Sequence, residues 1–292
     1  MVSSRLTSKQ NDNGLIINLA PTGGVAGKAQ TPYIPITHNE IVEDVAECLE
    51  LGIHMVHLHV RDEEGRHSAD PERYGRLIES VRKLPGGRDL IICVSTSGRY
   101  DPSYQSRSRV LDLDGDMKPD MASLTLSSLN FMSSASINEP ETIKSLAAKM
   151  LEKGIKPELE IFDLGMLNIA HVLLEEGLIV SPIYTNILLG NIAGSQASLS
   201  GISAMLLSIP DDWVVSLAGL GRSQLTANIM GITYAEGVRV GLEDNLWLDK
   251  DNHVLAKNAD LVKRVQRIAL ECQRSIETKT LVRKRLLDAE IG

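Results

Sequence analysis

Two histidines, His57 and His59, stand two residues apart in the apolar run His54–Val60. In an extended chain successive side chains alternate between faces, so both imidazoles leave the same face. Imidazole suits zinc, iron or copper, and a catalytic zinc commonly takes three protein ligands and keeps one position open. The third donor must come from elsewhere in the chain. Glu243 and Glu160 are the candidates, with Asp244 next. Arg239, Glu160 and Asp244 form a second group. A guanidinium keeps a nearby carboxylate ionised and can orient it or bind an anionic oxygen. The same three residues could equally be an ion pair that holds strands in register. Ser95, Ser97 and Ser123 offer hydroxyls to a substrate carboxylate or a thioester oxygen, or they simply cap strand ends. Gly219-Leu220-Gly221-Arg222 precedes a helix, and N–H groups at a helix N-terminus suit a phosphate or diphosphate. His38, His54, His67, His171 and His253 read as structural or surface residues.

These side chains need elements to position them. Short apolar runs at Leu15–Ala20, His54–Val60, Leu90–Val94, Asp120–Leu124, Glu158–Phe162, Ile183–Leu188, Trp213–Leu217 and Val238–Val240 read as strands buried on both faces. Helical patterns alternate with them. Thr37 with Glu40 forms a capping box for a helix that stops at Gly52, and Asp70-Pro71 opens a second. Further helices are expected over Glu141–Leu151, Met166–Glu176, Gln196–Ile209, Ser223–Tyr234 and Ala256–Ile276, with a short one between Ser103 and Leu113. Repeated βα units imply parallel strands, and eight such pairs match a (β/α)8 TIM barrel, typically ~250 residues long. An open doubly wound sheet would favour a GxGxxG after the first strand, which is absent. The expected layout is a disordered leader over residues 1–14 and a single barrel domain over residues 15–292. In such barrels the active site lies at the C-terminal strand ends, where the polar residues named above fall.

Composition narrows the function. The net charge of −8 and the 3% aromatic content argue against a nucleic-acid partner. No run approaches ~18 consecutive apolar residues, so no membrane span is expected. Three scattered cysteines without a CxxC fit a reduced, cytoplasmic protein.

Five segments in order carry a resemblance. They are His57-Leu58-His59-Val60-Arg61-Asp62, Pro119 to Leu124, Pro157-Glu158-Leu159-Glu160, Gly219-Leu220-Gly221-Arg222, and Arg239 to Asn245. Together they resemble the β-keto acid cleavage enzymes over about Leu15 to Ser275. The resemblance implies an oligomeric barrel, a homodimer or homotetramer, holding Zn2+ or another divalent ion. It implies that a β-keto acid and acetyl-CoA give acetoacetate and a new acyl-CoA. His57, His59 and Glu243 would hold the metal, and Asp244 would be the general base, its charge and orientation set by Arg239 and Glu160. Ser95, Ser123, Thr22 and Gly23 would meet the substrate, and Gly221 and Arg222 the CoA. Relatives that take an amino substrate read T-G-A-E after the first strand, where the Glu meets the amino group. Here the stretch is Thr22-Gly23-Gly24-Val25, so the expected keto acid has a neutral apolar or an anionic tail. Lys28 would favour a carboxylate tail if it turned inward. Two other readings compete. An amidohydrolase-type zinc hydrolase would carry its HxH on the first strand and add further histidines. A non-catalytic metal-binding barrel would not need so many polar strand ends.

Overall fold

The computed structural model describes residues 13–287. The expected leader therefore falls, apart from Asn13 and Gly14, outside the described residues. Eight parallel strands close into a barrel: β1 (Ile16–Leu19), β2 (Met55–Leu58), β3 (Ile91–Val94), β4 (Met121–Thr125), β5 (Lys156–Ile161), β6 (Tyr184–Leu189), β7 (Val214–Gly219) and β8 (Gly237–Val240). The ring closes where β8 pairs with β1, Ile16 opposite Gly237 and Asn18 opposite Arg239. Around it lie α1 (His38–Glu50), α2 (Pro71–Lys83), α3 (Tyr104–Ser108), α4 (Pro140–Lys153), α5 (Leu164–Glu175), α6 (Leu199–Ser208), α7 (Ser223–Tyr234), α8 (Asn258–Glu271) and α9 (Lys279–Leu287).

The strand composition explains the architecture. Val56, Leu58, Ile92, Val215 and Leu217 face outward and are fully buried under Ile41, Val45, Leu77, Ile78 and Val81 of α1 and α2 and the corresponding stripes of the other helices. Burying one such side chain is worth roughly 1.5–3 kcal/mol. The inward face is graded along the barrel axis. Ile16, Met55, Ile91, Met121, Tyr184 and Val214 form an apolar layer at the N-terminal end, plugged from below by Val282 and Leu286 of α9. Two residues further along these strands the inward positions are Asn18, His57, Cys93, Ser123, Asn186 and Ser216, joined at that level by Glu158 of β5 and Arg239 of β8, so the buried interior turns polar. The core thus supports the site from one end only.

Local signals hold at most boundaries. Thr37 and Glu40 make the expected capping box, and Asp70 caps α2 with Pro71 in its first turn. The expected short helix is α3, continued by a 3-10 turn over Arg109–Asp112. Three differences have physical causes. The helix expected over Ala256–Ile276 ends at Glu271, because Gln273 adopts φ +56 and Ile276 bridges to Leu15. Left-handed backbone cannot continue a right-handed helix. The chain resumes as α9. The second strand stops at Leu58, and Val60–Arg61 leaves the barrel to pair antiparallel with His67–Ser68. Finally, α6 starts at Leu199 rather than Gln196, since Ser198 is the residue whose hydroxyl caps it.

Candidate active site

At the C-terminal end of the barrel a cavity of about 500 Å³ opens, its floor made by His57, His59, Glu160, Arg239, Glu243 and Asp244. His57 is on β2, His59 just beyond it, Glu160 on β5 and Arg239 on β8. Glu243 and Asp244 lie in the turn after β8. Two of the three candidate third donors, Glu243 and Asp244, are therefore adjacent, and the structure separates their roles.

His57 Nε2 and His59 Nε2 are 3.3 Å apart. Glu243 Oε1 stands 3.3 Å from His59 Nε2 and 3.9 Å from His57 Nε2. These three atoms converge closely enough to share one cation. Glu243 Oε2 and His59 Nδ1 are buried and have no hydrogen-bond partner among the described residues. Two neutral imidazoles could share one proton, but they could not satisfy that second carboxylate oxygen. The donor set of two imidazoles and a carboxylate fits zinc with an open position. The local charge also fits a cation. Glu160, Glu243 and Asp244 contact the Arg239 guanidinium and Glu158 pairs with His57, so carboxylates outnumber cationic side chains around the floor.

His57 is held from behind. Its Nδ1 donates to Glu158 Oε2 at 2.7 Å, and Cys93 Sγ donates to the same oxygen at 2.7 Å. Glu158 Oε1 accepts from Asn18 Nδ2 at 2.7 Å and from Asn186 Nδ2. A ligating histidine almost always gives its other N–H to such an acceptor, which fixes the ring and raises its basicity. Burial alone would raise the Glu158 carboxyl and depress His57. Their attraction prevails, placing Glu158 at about 2 and His57 at about 9. Burial pushes the Cys93 thiol well above its ordinary value, helped by Glu158. Cys93 is thus a hydrogen-bond donor here and not a nucleophile.

Arg239 organises the acids. Its Nε and Nη2 reach Asp244 Oδ2 and Oδ1 at 3.0 and 3.1 Å, Nη2 also reaches Glu243 Oε1 at 2.8 Å, and Nη1 reaches Glu160 Oε1 at 3.3 Å. Glu160 Oε2 accepts from Thr125 Oγ1 at 2.7 Å. The two adjacent acids diverge. Against the penalty of burial, His59, Arg239 and His57 hold Glu243 well below the usual carboxylate range. Burial lifts Asp244 above its ordinary value, and neighbouring Glu243 adds to this against the pull of Arg239. Such divergence separates a permanent anion from a carboxylate able to take a proton.

The remaining expected residues are only partly gathered here. Ser95 and Gly221 line the cavity. Ser97, whose hydroxyl is a further candidate, lines it as well, whereas Ser123, Thr22, Gly23 and Arg222 do not. Ser123 lies a layer below Thr125 on β4, and its Oγ accepts from Thr96 N at 3.2 Å. Thr22 is fully buried, and Arg222 is exposed at the start of α7. Gly23 acts by what it lacks. It has φ +61, and a Cβ there would stand 2.6 Å from Glu243 Cγ, so the glycine makes room for that carboxylate. Its carbonyl accepts from Arg61 Nε at 2.8 Å, and the Arg61 guanidinium also reaches Ala26 O at 2.9 Å and Gly65 O at 3.0 Å. The Arg61 of His57–Asp62 therefore clamps the loop after β1 beside the site. Lys28 does not turn inward: its Nζ pairs with Glu40 Oε1 at 2.8 Å. Sequence reasoning passed over Glu158, although Glu158 and Glu160 share the i, i+2 spacing that singled out the histidines. It also passed over Arg99, which follows the end of β3 by several residues and lines the cavity.

A closed (β/α)8 barrel with a buried His–His–Glu cluster and an arginine-bound acid at its C-terminal end defines a barrel enzyme of acid–base chemistry. Comparison with known proteins makes this specific. The model of the β-keto acid cleavage enzymes matches residues 14–287, and the chain belongs to that family. It is 36% identical over 267 residues to the 3-keto-5-aminohexanoate cleavage enzyme of Fusobacterium nucleatum, covering 90% of this chain and 94% of that one. It is 35% identical to the 3-oxoadipate:acetyl-CoA acetyltransferase of Cupriavidus necator, covering 90% and 91%. A 3-dehydrocarnitine:acetyl-CoA trimethylamine transferase of Rhizobium meliloti is 28% identical over 86% of this chain and 88% of its own. Among solved structures, the ternary complex of ObcA with a C4-CoA adduct and oxalate superposes with a TM-score of 0.74 at 21% identity. That match covers 89% of this chain and 68% of ObcA, and it supports the barrel fold.

Proposed function

We propose that this chain condenses a β-keto acid with acetyl-CoA and releases acetoacetate and a new acyl-CoA, with a divalent cation, zinc by its donor chemistry, held by His57, His59 and Glu243. The observation that carries the reading is the convergence of those three ligand atoms beside Asp244, a carboxylate that Arg239 holds at the cavity floor. The family membership and the acetyl-CoA named in several relatives support it.

The cation would supply Lewis acidity to the keto acid's oxygens. The chain's residues do the rest. Each Asp244 oxygen accepts one hydrogen bond from Arg239 and keeps a lone pair for the C2 proton of the keto acid. Arg239 fixes the carboxylate's plane, and Glu160 and Glu243 fix Arg239. The deprotonated C2 attacks the acetyl thioester and expels the CoA thiolate. The thiolate then attacks the original ketone carbon, the C2–C3 bond breaks, and the carbanion of acetoacetate recovers the proton from Asp244. No protein nucleophile is needed, consistent with a Cys93 thiol kept protonated. Ser95 at the cavity wall supplies a hydroxyl to the substrate carboxylate.

The reading includes a homodimer or homotetramer in the cytoplasm, which light scattering on the purified chain and fractionation of cells would check. No helix among the described residues is long and apolar enough to cross a membrane. The deciding experiment incubates the metal-analysed protein with labelled acetyl-CoA and a panel of β-keto acids. Labelled acetoacetate and one new acyl-CoA are expected in equal amounts. Hydrolysis of acetyl-CoA without acetoacetate, or no turnover of any β-keto acid, would overturn the proposal.

A further inference from the structure

The cavity has two differently charged ends. Every carboxylate that lines it lies at the floor and is bound to Arg239. Beyond the floor, the only charged residue on the wall among the described residues is Arg99. Its guanidinium carbon stands 3.6 Å from the centroid of the Phe131 ring. Tyr100, whose hydroxyl donates to Gly24 O, lines the same wall. Arg99 is half-buried and forms no ion pair among the described residues. A ring face and the Tyr100 hydroxyl hold this guanidinium in place but do not neutralise it, and the rest of the planar fork remains for a carboxylate. Leaving such a charge partly desolvated is costly unless a ligand completes it. The keto acid's own carboxylate is engaged at the floor, so the anion that meets Arg99 must sit at the substrate's other end.

We propose that Arg99, cradled on Phe131, binds a second carboxylate at the far end of the substrate, making this chain selective for a 3-oxo dicarboxylic acid. This rests on the proposed β-keto acid exchange and names its substrate class. The names of the relatives do not decide the point, because they include cationic and anionic tails alike. The residues on this wall do. Among the described residues no carboxylate beyond the floor lines it to meet an ammonium, and Val25, which also lines the cavity, is apolar.

The test compares 3-oxoadipate with 3-oxohexanoate, which has the same chain length without the second carboxylate, on the holoenzyme and on Arg99→Met. A charge-assisted hydrogen bond lost from a partly buried site corresponds to roughly tenfold to a hundredfold. The parent should favour 3-oxoadipate by at least that lower factor in kcat/KM. Arg99→Met should lose about that factor for 3-oxoadipate, while its kcat/KM for 3-oxohexanoate and its KM for acetyl-CoA stay within about threefold. Arg99→Lys should recover part of the loss. Equal losses on both acids, a parent preference for 3-oxohexanoate, or a rise confined to the KM for acetyl-CoA would each overturn the proposal. The last would assign Arg99 to the CoA phosphates. If the parent exchanges neither acid but turns over another β-keto acid of the panel, this proposal falls and the proposed function stands; if it turns over none, the proposed function itself falls. Should Arg99→Met fail to fold by circular dichroism, Arg99→Lys and Phe131→Leu decide. Reduced 3-oxoadipate selectivity in both supports the assignment, and unchanged selectivity in either overturns it.

Discussion

The floor of the cavity, where Arg239 meets Glu160, Glu243 and Asp244, and its mouth, where Arg99 lies on Phe131, use the same guanidinium in opposite ways. At the floor the charge is enclosed and answered several times over, with four of its five N–H groups given to carboxylates, so Arg239 fixes other side chains. At the mouth the charge rests on a ring face and beside the Tyr100 hydroxyl, with no carboxylate paired to it among the described residues, and stays available to a ligand. The difference separates chemistry from selectivity: substitutions at the floor should change whether the reaction occurs, and those at the mouth which acid enters it.

The largest effect should come from the floor's cation ligands. His59→Ala removes one of three converging donors, and its bound divalent metal should fall to background by elemental analysis while circular dichroism stays native. Exchange activity should disappear with the metal. Retention of a full equivalent of metal would show that the cluster is not the binding site. Asp244→Asn should keep metal and fold but lower kcat by ~10²–10⁴, the usual contribution of a general base. Turnover within a few-fold of the parent would remove Asp244 from that role. A smaller effect is expected one step behind the ligands. Glu158→Gln weakens the support of His57 Nδ1, and competition with a chelator should show cation affinity lower by ~10–100-fold. In Asp244→Asn and Glu158→Gln, which keep some turnover, the preference among acids should stay that of the parent.

The smallest effect lies outside both regions, and it concerns stability. Asp44 on α1 accepts from Asn258 Nδ2 at 2.7 Å, and burial raises its carboxyl to about 7. An unfolded Asp titrates near ~3.9. The folded state therefore holds this proton more tightly, and the stabilisation present at low pH is lost as pH rises from about 4 to 7. Asp44→Asn should flatten that part of the profile and raise Tm at pH 8 by roughly 2–5 °C. A Tm difference that stays constant between pH 4 and 8 would contradict the shift.

Much of this was legible in the chain, for reasons of periodicity. Strands covered on both faces become apolar runs, and eight of them alternating with capped helices leave few topologies. His57 and His59 announce themselves because alternation puts both on one face. The same rule applied to Glu158 and Glu160 would have placed both inside the barrel, yet the partner of Glu158 is 101 residues away and nothing local names it. Arg99 was illegible for a different reason. It lies in an irregular loop without a period, and only the position of Phe131 turns it toward the cavity. The split of the last helical stretch at Gln273 was equally hidden, because the residue in left-handed backbone is a glutamine and not a glycine.

Asn258, the first residue of α8, has a consequence in time. Its Oδ1 accepts from Leu242 N at 2.8 Å, and its Nδ2 donates to Pro21 O at 3.1 Å, 237 residues earlier in the chain. One amide thus ties the turn that carries Glu243 to the loop that carries Gly23. A ribosome makes the two histidines early and the carboxylate that converges on them late, and the amide that pins the two loops together later still. During most of its synthesis the chain holds an incomplete cluster, with β1 lacking its β8 neighbour. Completion of the site is therefore a late event of assembly, and a chain cut short before α8 would carry both imidazoles without the brace that completes their cluster.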